Sequence, residues 1–236
     1  MWFMHHREPG EASAPETRGL VITWAWRYDL LLWFANLVFR GKWQALRRMT
    51  ADLAQLQPGE AVLDVGCGTG TLALVARQRA GATGRVCGID PSVQMIARAR
   101  RKAARRGLSI DFQVGLIEQL AFPDQSFDVV LSTFMMHQLP DDLKRQGLAE
   151  IARVLKPRGR LLVVDTRRPE EHHGRPARLV HTGRWNSGVQ DQPALMKEGG
   201  FSPIESGEME TGETKLPEIG FALGRKSLAG EGRAAL

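Results

Sequence analysis

Only one tyrosine and two cysteines occur among the 236 residues. Both cysteines, Cys67 and Cys87, fall in segments that read as core, which excludes a disulfide framework. Long apolar runs are also missing. The longest, Leu30 to Phe39, has ten residues and includes Asn36, against the roughly 20 that a membrane span needs. The first ten residues lack the basic-then-apolar order of a signal peptide, so a cytoplasmic protein is expected. Acidic residues are fewer than basic ones, giving a net charge of +6. That excess gathers at Arg40 to Arg48 and at Arg98 to Arg106, and the second cluster has no aromatic residue for base stacking. The pattern argues against nucleic acid as a partner.

The chain has 43% apolar residues, enough for one sizeable α/β domain. Residues 1–19, rich in Pro, Gly and Glu, read as a flexible lead-in. Residues 20–57 read as a helical lid, with Leu46, Met49, Leu53 and Leu56 at spacings of three and four. Residues 58–236 read as the main domain. Short Val/Leu/Ile-rich strands are expected at Ala61 to Val65, Arg85 to Asp90, Ser109 to Val114, Phe127 to Ser132 and Arg160 to Asp165. Helical patterns lie between them at Thr71 to Ala80, Ser92 to Arg106 and Asp141 to Leu155, with Ser92 as N-cap and Gly107 as stop. Such alternation predicts a doubly wound, mostly parallel sheet covered on both faces. Two further strands, Phe201 to Glu208 and Glu218 to Arg225, are close enough in sequence to pair as a terminal antiparallel hairpin.

The densest signal is at Val62 to Gly70, where an apolar strand bearing Asp64 runs into Gly66, Gly68 and Gly70. Glycine at alternate positions allows positive φ and close approach of a ligand to the main chain. Asp90 follows 20 residues later at the end of the next strand, where a carboxylate can accept the hydroxyl protons of a ribose. A helix cap before Pro91 and Ser92 is the plainer alternative for Asp90. A nicotinamide-dependent oxidoreductase would use Gly-x-Gly-x-x-Gly, whereas this chain has Gly-x-Gly-x-Gly. Asp64 would also repel a pyrophosphate, yet suits an ammonium, directly or through water.

The Asp64 to Gly70 turn, Gly88 to Ser92, Phe127 to Ser132 and Leu155 to Asp165 together resemble the class I S-adenosylmethionine-dependent methyltransferases. The branch in view includes ubiquinone and menaquinone C-methyltransferases and small-molecule or phospholipid methyltransferases. The resemblance covers roughly Pro58 to Asp165. It implies a seven-stranded Rossmann-like sheet, a helical lid over the acceptor, and S-adenosyl-L-methionine as cofactor.

The resemblance further implies Asp64, Gly66, Cys67, Gly68 and Gly70 around the methionine and Asp90 on the ribose. Pro91, Ser92 and Met95 would lie near the adenine, and Ser132 beside the methyl donor. Relatives often carry an Asp for the adenine amine where this chain has Leu116, leaving backbone groups around Leu116 and Ile117 to serve. Arg158 replaces a glycine usual in the family's Lys-Pro-Gly-Gly turn.

His137 could accept a proton, position the acceptor, or be a buried structural residue. Tyr28, Asp165 and the histidines His172, His173 and His181 are further candidates for a base. Those histidines lack the spacing and companions of a metal site, so no metal is expected. Five of six tryptophans and Tyr28 fall in the first 43 residues, among basic side chains. This suits a lid over a small, apolar or lipid-like acceptor, or peripheral membrane contact. The expected activity is methyl transfer. A nicotinamide oxidoreductase and a non-catalytic cofactor-binding protein are the alternatives.

Overall fold

The structure, a computed structural model, describes residues 17–19, 21, 42–168, 188–209 and 218–227. Seven strands form one sheet: β1 (Ala61–Val65), β2 (Arg85–Asp90), β3 (Asp111–Val114), β4 (Phe127–Thr133), β5 (Leu155–Thr166), β6 (Phe201–Glu208) and β7 (Ile219–Lys226). Their spatial order is β3-β2-β1-β4-β5-β7-β6. The first five run parallel, and β7 lies antiparallel between β5 and β6. The expected doubly wound sheet with a terminal hairpin is thus borne out.

Five helices are described: α1 (Lys42–Leu53), α2 (Thr71–Ala80), α3 (Val93–Arg105), α4 (Asp141–Val154) and α5 (Gln192–Glu198). Because successive strand residues point to opposite faces, the apolar strands feed two cores. Val62, Val129, Leu131 and Leu162 meet Leu46, Leu72, Leu74, Ile96 and Ala99 of α1, α2 and α3 on one face. Leu63, Val65, Val130 and Leu161 meet Leu148, Ile151 and Met196 of α4 and α5 on the other. The apolar repeat of the expected lid thus has a physical partner in α1, whose Leu46 is buried against the first core. Trp24, Trp26, Tyr28 and Trp33 of the expected lid lie outside the described residues, as do His172, His173 and His181.

Local chemistry sets the helix ends near the sequence elements. The Ser92 hydroxyl accepts from the Met95 N–H at 3.3 Å to cap α3, and Gly107, with φ of +63°, follows its last turn. One strand departs from expectation by more than two residues. β5 begins at Leu155 rather than Arg160, because Leu155 pairs with Phe127 before the register shifts and resumes at Val129 with Arg160. The intervening residues Lys156 to Gly159 form a bulge in β5, with Arg158 at φ +63°.

A left-handed arginine costs about 1–2 kcal/mol that glycine avoids, partly offset by the larger entropy of glycine in the unfolded chain. Arg158→Gly should therefore raise stability by about 0.5 kcal/mol. A rise in the urea midpoint with unchanged slope is the expected outcome, and a fall would show that the arginine side chain contributes more than its backbone costs.

Candidate functional site

The carboxyl ends of β1, β2 and β4 surround a cleft of about 750 Å³. This is where an open parallel sheet offers a binding crevice, since β1 and β4 are neighbours and the chain leaves them toward opposite sides. The glycine turn forms one wall. Gly66, Gly68 and Gly70 take φ of +71°, +53° and +74°, so all three occupy the left-handed region. Their surroundings differ. A Cβ on Gly66 would fall 2.5 Å from Met135 Cγ, whereas one on Gly68 would meet nothing within 4 Å. Gly68 therefore exposes bare main chain to the cleft. Gly70 faces away, against Phe112 and Ala99, so its glycine serves packing beneath α2 rather than the ligand.

Asp90 locks this turn to β2. One carboxylate oxygen accepts from Gly68 N–H and the other from Ser92 N–H, both at 2.9 Å. Both the cap and the ligand-facing readings thus have a basis, because Asp90 also lines the cleft beside Pro91 and Met95. Burial pushes its pKa up to about 6, against the pull of those two N–H groups.

Asp64 lies deeper. It is fully buried, neither oxygen has a hydrogen-bond partner, and it lines neither of the clefts beside the turn. A direct ion pair with an ammonium is therefore not what this geometry provides. Burial raises the Asp64 pKa to about 7; the Ala73 N–H in the first turn of α2 opposes the rise and the charge of Asp90 adds to it. Ser92 and Ser132 are likewise buried behind the walls. Ser92 caps its helix, and the Ser132 hydroxyl has no partner.

A second cleft, about 570 Å³, opens on the other side of the same turn. Cys67, Thr69 and the start of α2 line it, with Leu46, Arg47 and Thr50 supplied by α1. Gly66, Gly68, Thr133 and Phe134 belong to both clefts. Phe134 holds φ of +52°, its N–H donating to Val164 O and its carbonyl accepting from the Gln138 side chain. A non-glycine residue in this region is strained backbone of the sort that concentrates at functional sites.

Leu116 and Ile117 line the first cleft, as does Glu118 two residues on. Sequence reasoning placed only the backbone of this turn in the site and did not single out Glu118, whose carboxylate accepts from Thr17 Oγ1 at 2.8 Å. Thr17 and Gly19 reach the cleft from the end of the expected lead-in, and Arg18 pairs with Asp142. No local pattern marks these residues, because a contact across 101 positions is decided only by the fold.

His137 sits in a single 3-10 turn, Met136–Gln138, directly after β4. Its Nδ1 lies 2.5 Å from Asp165 Oδ1, and its backbone N–H donates to the other carboxylate oxygen. Asp165 also accepts from Thr166 N–H and is 1% exposed, so it is no independent base.

Residues 62–159 match a family described as the methyltransferase domain. Over this segment the chain is similar to that family. The demethylmenaquinone methyltransferase of Thermus thermophilus is 40% identical over 139 residues, 59% of this chain and 60% of that protein. An arsenite methyltransferase of Halobacterium salinarum is 32% identical over 157 residues, 64% of this chain and 40% of that protein. The chain thus spans about 40–61% of the length of the curated relatives it matches first. Among solved structures, the [4+2]-cyclase SpnF superposes with a TM-score of 0.65 at 23% identity, over 79% of this chain and 82% of that one. The methyltransferase domain bears out the resemblance read from the motifs, and with it S-adenosylmethionine as cofactor. The open space over Gly68, the Asp90 carboxylate and the buried charge of Asp64 fit such a cationic nucleoside.

The two raised carboxyl groups predict a pH dependence. A carboxyl whose folded pKa exceeds its unfolded value binds more protons when folded, so stability falls as pH rises between the two values. For Asp64, from 3.8 to about 7, the penalty at pH 8 is on the order of 4 kcal/mol. Asp64→Asn should match the parent protein near pH 4 and become progressively more stable relative to it toward pH 8. Thermal midpoints across that range check this, and a gap that does not widen would contradict it.

Proposed function

We propose that this chain transfers the methyl group of S-adenosylmethionine to a small, largely apolar or lipid-like acceptor. The observation that carries the reading is the glycine turn locked by Asp90 within a methyltransferase domain, open to a cleft on each side. The adenosine would lie in the first cleft, with Asp90 accepting from ribose hydroxyls through lone pairs not used by Gly68 and Ser92. Pro91, Met95, Leu116 and Ile117 would bound the adenine, and Glu118 supplies an acid at the end where Leu116 supplies none. The methionine would cross Gly66 and Gly68 toward Cys67 and the second cleft. There the N–H groups opening α2 and the Arg47 side chain suit its carboxylate.

The bound cofactor supplies an already activated methyl group on a sulfonium. What the chain itself must do is align the reactants and exclude water, and alignment is worth roughly 7–11 kcal/mol of the barrier. The alkyl and aromatic side chains of Phe134, Met135 and Leu139 make the cleft wall suited to an apolar acceptor. The demethylmenaquinone relative acts on an acceptor of that kind, whereas the arsenite relative does not, so wall chemistry rather than likeness supports this choice. Tyr28 and the aromatic N-terminal segment would cover the acceptor or touch a membrane surface.

Calorimetric titration with S-adenosylmethionine, its demethylated product and NAD tests the reading. Binding of both sulfur nucleosides without NAD is expected, while NAD binding alone would overturn it in favour of an oxidoreductase. Asp90→Ala should weaken S-adenosylmethionine binding by about 1–3 kcal/mol through loss of charge-assisted hydrogen bonds. Unchanged affinity would remove Asp90 from the site.

A further inference from the structure

We propose that the layer of helices α1, α2 and α3 is a docking face for an anionic phospholipid surface, with the outer side of α3 at its centre. No basic residue of α3 lines either cleft, so the face stands independently of the methyl-transfer reading. Charge is distributed unequally between the two sides of the sheet. α3 holds Arg98, Arg100, Arg101, Lys102 and Arg105 and no acid, and α2 holds Arg77 and Arg79 and no acid. α1 has a single acid, Asp52, and Arg79 pairs with it at 2.6 Å. On the opposite side α4 carries three acids and three bases, and α5 one of each. One helix layer is strongly cationic and the other neutral.

Packing decides where that charge points. Ile96, Ala99 and Ala103 are buried against the sheet, which turns Arg98, Arg101 and Arg105, at spacings of three and four, to the far side of α3. Arg101, Arg105 and, just past the helix, Arg106 are exposed and have no carboxylate partner among the described residues. Arg48 is exposed on α1 in the same layer. Like charges three and four residues apart repel, as Arg98 with Lys102 and Arg101 with Arg105 must. Only Lys102 and Arg105 stand in the last turn of α3, where the helix dipole favours a cation. Solubility calls for interspersed signs rather than one sign alone. An anionic partner relieves the repulsion that folding leaves in place.

The chemistry of the face selects the partner. Every residue from Arg98 to Arg106 is Ala, Arg or Lys, so this stretch has no aromatic ring to stack on a base and no large apolar anchor for a protein interface. A guanidinium pairs with phosphate oxygens two at a time, and a lipid surface offers many interchangeable phosphates. Such a surface needs no fixed partner geometry. Contact through this face is electrostatic, whereas contact through the aromatic N-terminal segment would be apolar. Salt separates the two.

Co-sedimentation of the full chain with phosphatidylcholine vesicles, with and without about 30% phosphatidylglycerol, tests the face. Binding is expected to the anionic vesicles alone, and to be lost in about 0.5 M salt, where the Debye length falls to roughly 4 Å. Combining Arg101→Gln, Arg105→Gln and Arg106→Gln should lower the partition coefficient on the order of 100-fold, at about fivefold per cation. The thermal midpoint and S-adenosylmethionine affinity of this variant should not fall, since these side chains reach neither a carboxylate nor a cleft. Arg158→Gln, Lys197→Gln and Arg225→Gln remove the same charge from exposed positions outside the three helices, and that variant should stay within about threefold of the parent. Equal losses in the two variants would reduce the effect to net charge and overturn the face. No loss in the first variant, salt-resistant binding, or no binding by the unaltered chain would overturn it as well. Binding of a poly-uridine oligonucleotide but not of vesicles, lost in the first variant, would give the face to a nucleic acid and overturn the lipid partner.

Discussion

A carboxylate at the end of β2 reaches across to the main chain at the end of β1, and the geometry of the site depends on that reach. Asp90 accepts from Gly68 on one oxygen and from Ser92 on the other. The two bonds hold a left-handed glycine turn against the start of α3, while the N–H groups of Gly66 and Cys67 both donate to Ile89 O. Without that lock, a turn with three left-handed glycines at alternate positions would be entropically costly to order. With it, bare backbone at Gly68 becomes a fixed wall between two clefts.

The same lock has an electrostatic side. Asp64 is buried and Asp90 half-buried, and burial raises both pKa values, to about 7 and about 6, so a negative charge on either is poorly solvated. A cationic ligand relieves that imbalance, which couples binding to proton release near neutral pH. Stability is given up where affinity is gained.

Much of the fold was legible because it is local. Parallel strands buried on both faces must be short and apolar, and Ala61–Val65, Arg85–Asp90 and Phe201–Glu208 have the bounds that the pattern predicts. β5 was read too short because Lys156 to Gly159 looks like a turn but forms a bulge within the strand, and the pairing of Leu155 with Phe127 on its far side is invisible in local pattern. In the site, Gly66, Gly68 and Asp90 were legible from spacing. Gly70, Ser92 and Ser132 belong to the same motifs but face the core, since alternation decides which residue of a strand or turn points at the ligand.

The sequence by itself determined the sheet and the cofactor class, because those follow from periodicity, glycine chemistry and one acid at the right distance along the chain. The tertiary structure alone decided that Asp64 sits beneath the turn rather than in the cleft, that Thr17 meets Glu118, and that Asp165 clamps His137. Each of these depends on where separate elements come to rest in the packed fold. Burial, orphaned carboxylates and tautomers are properties of that packing, and no spacing along a chain encodes them.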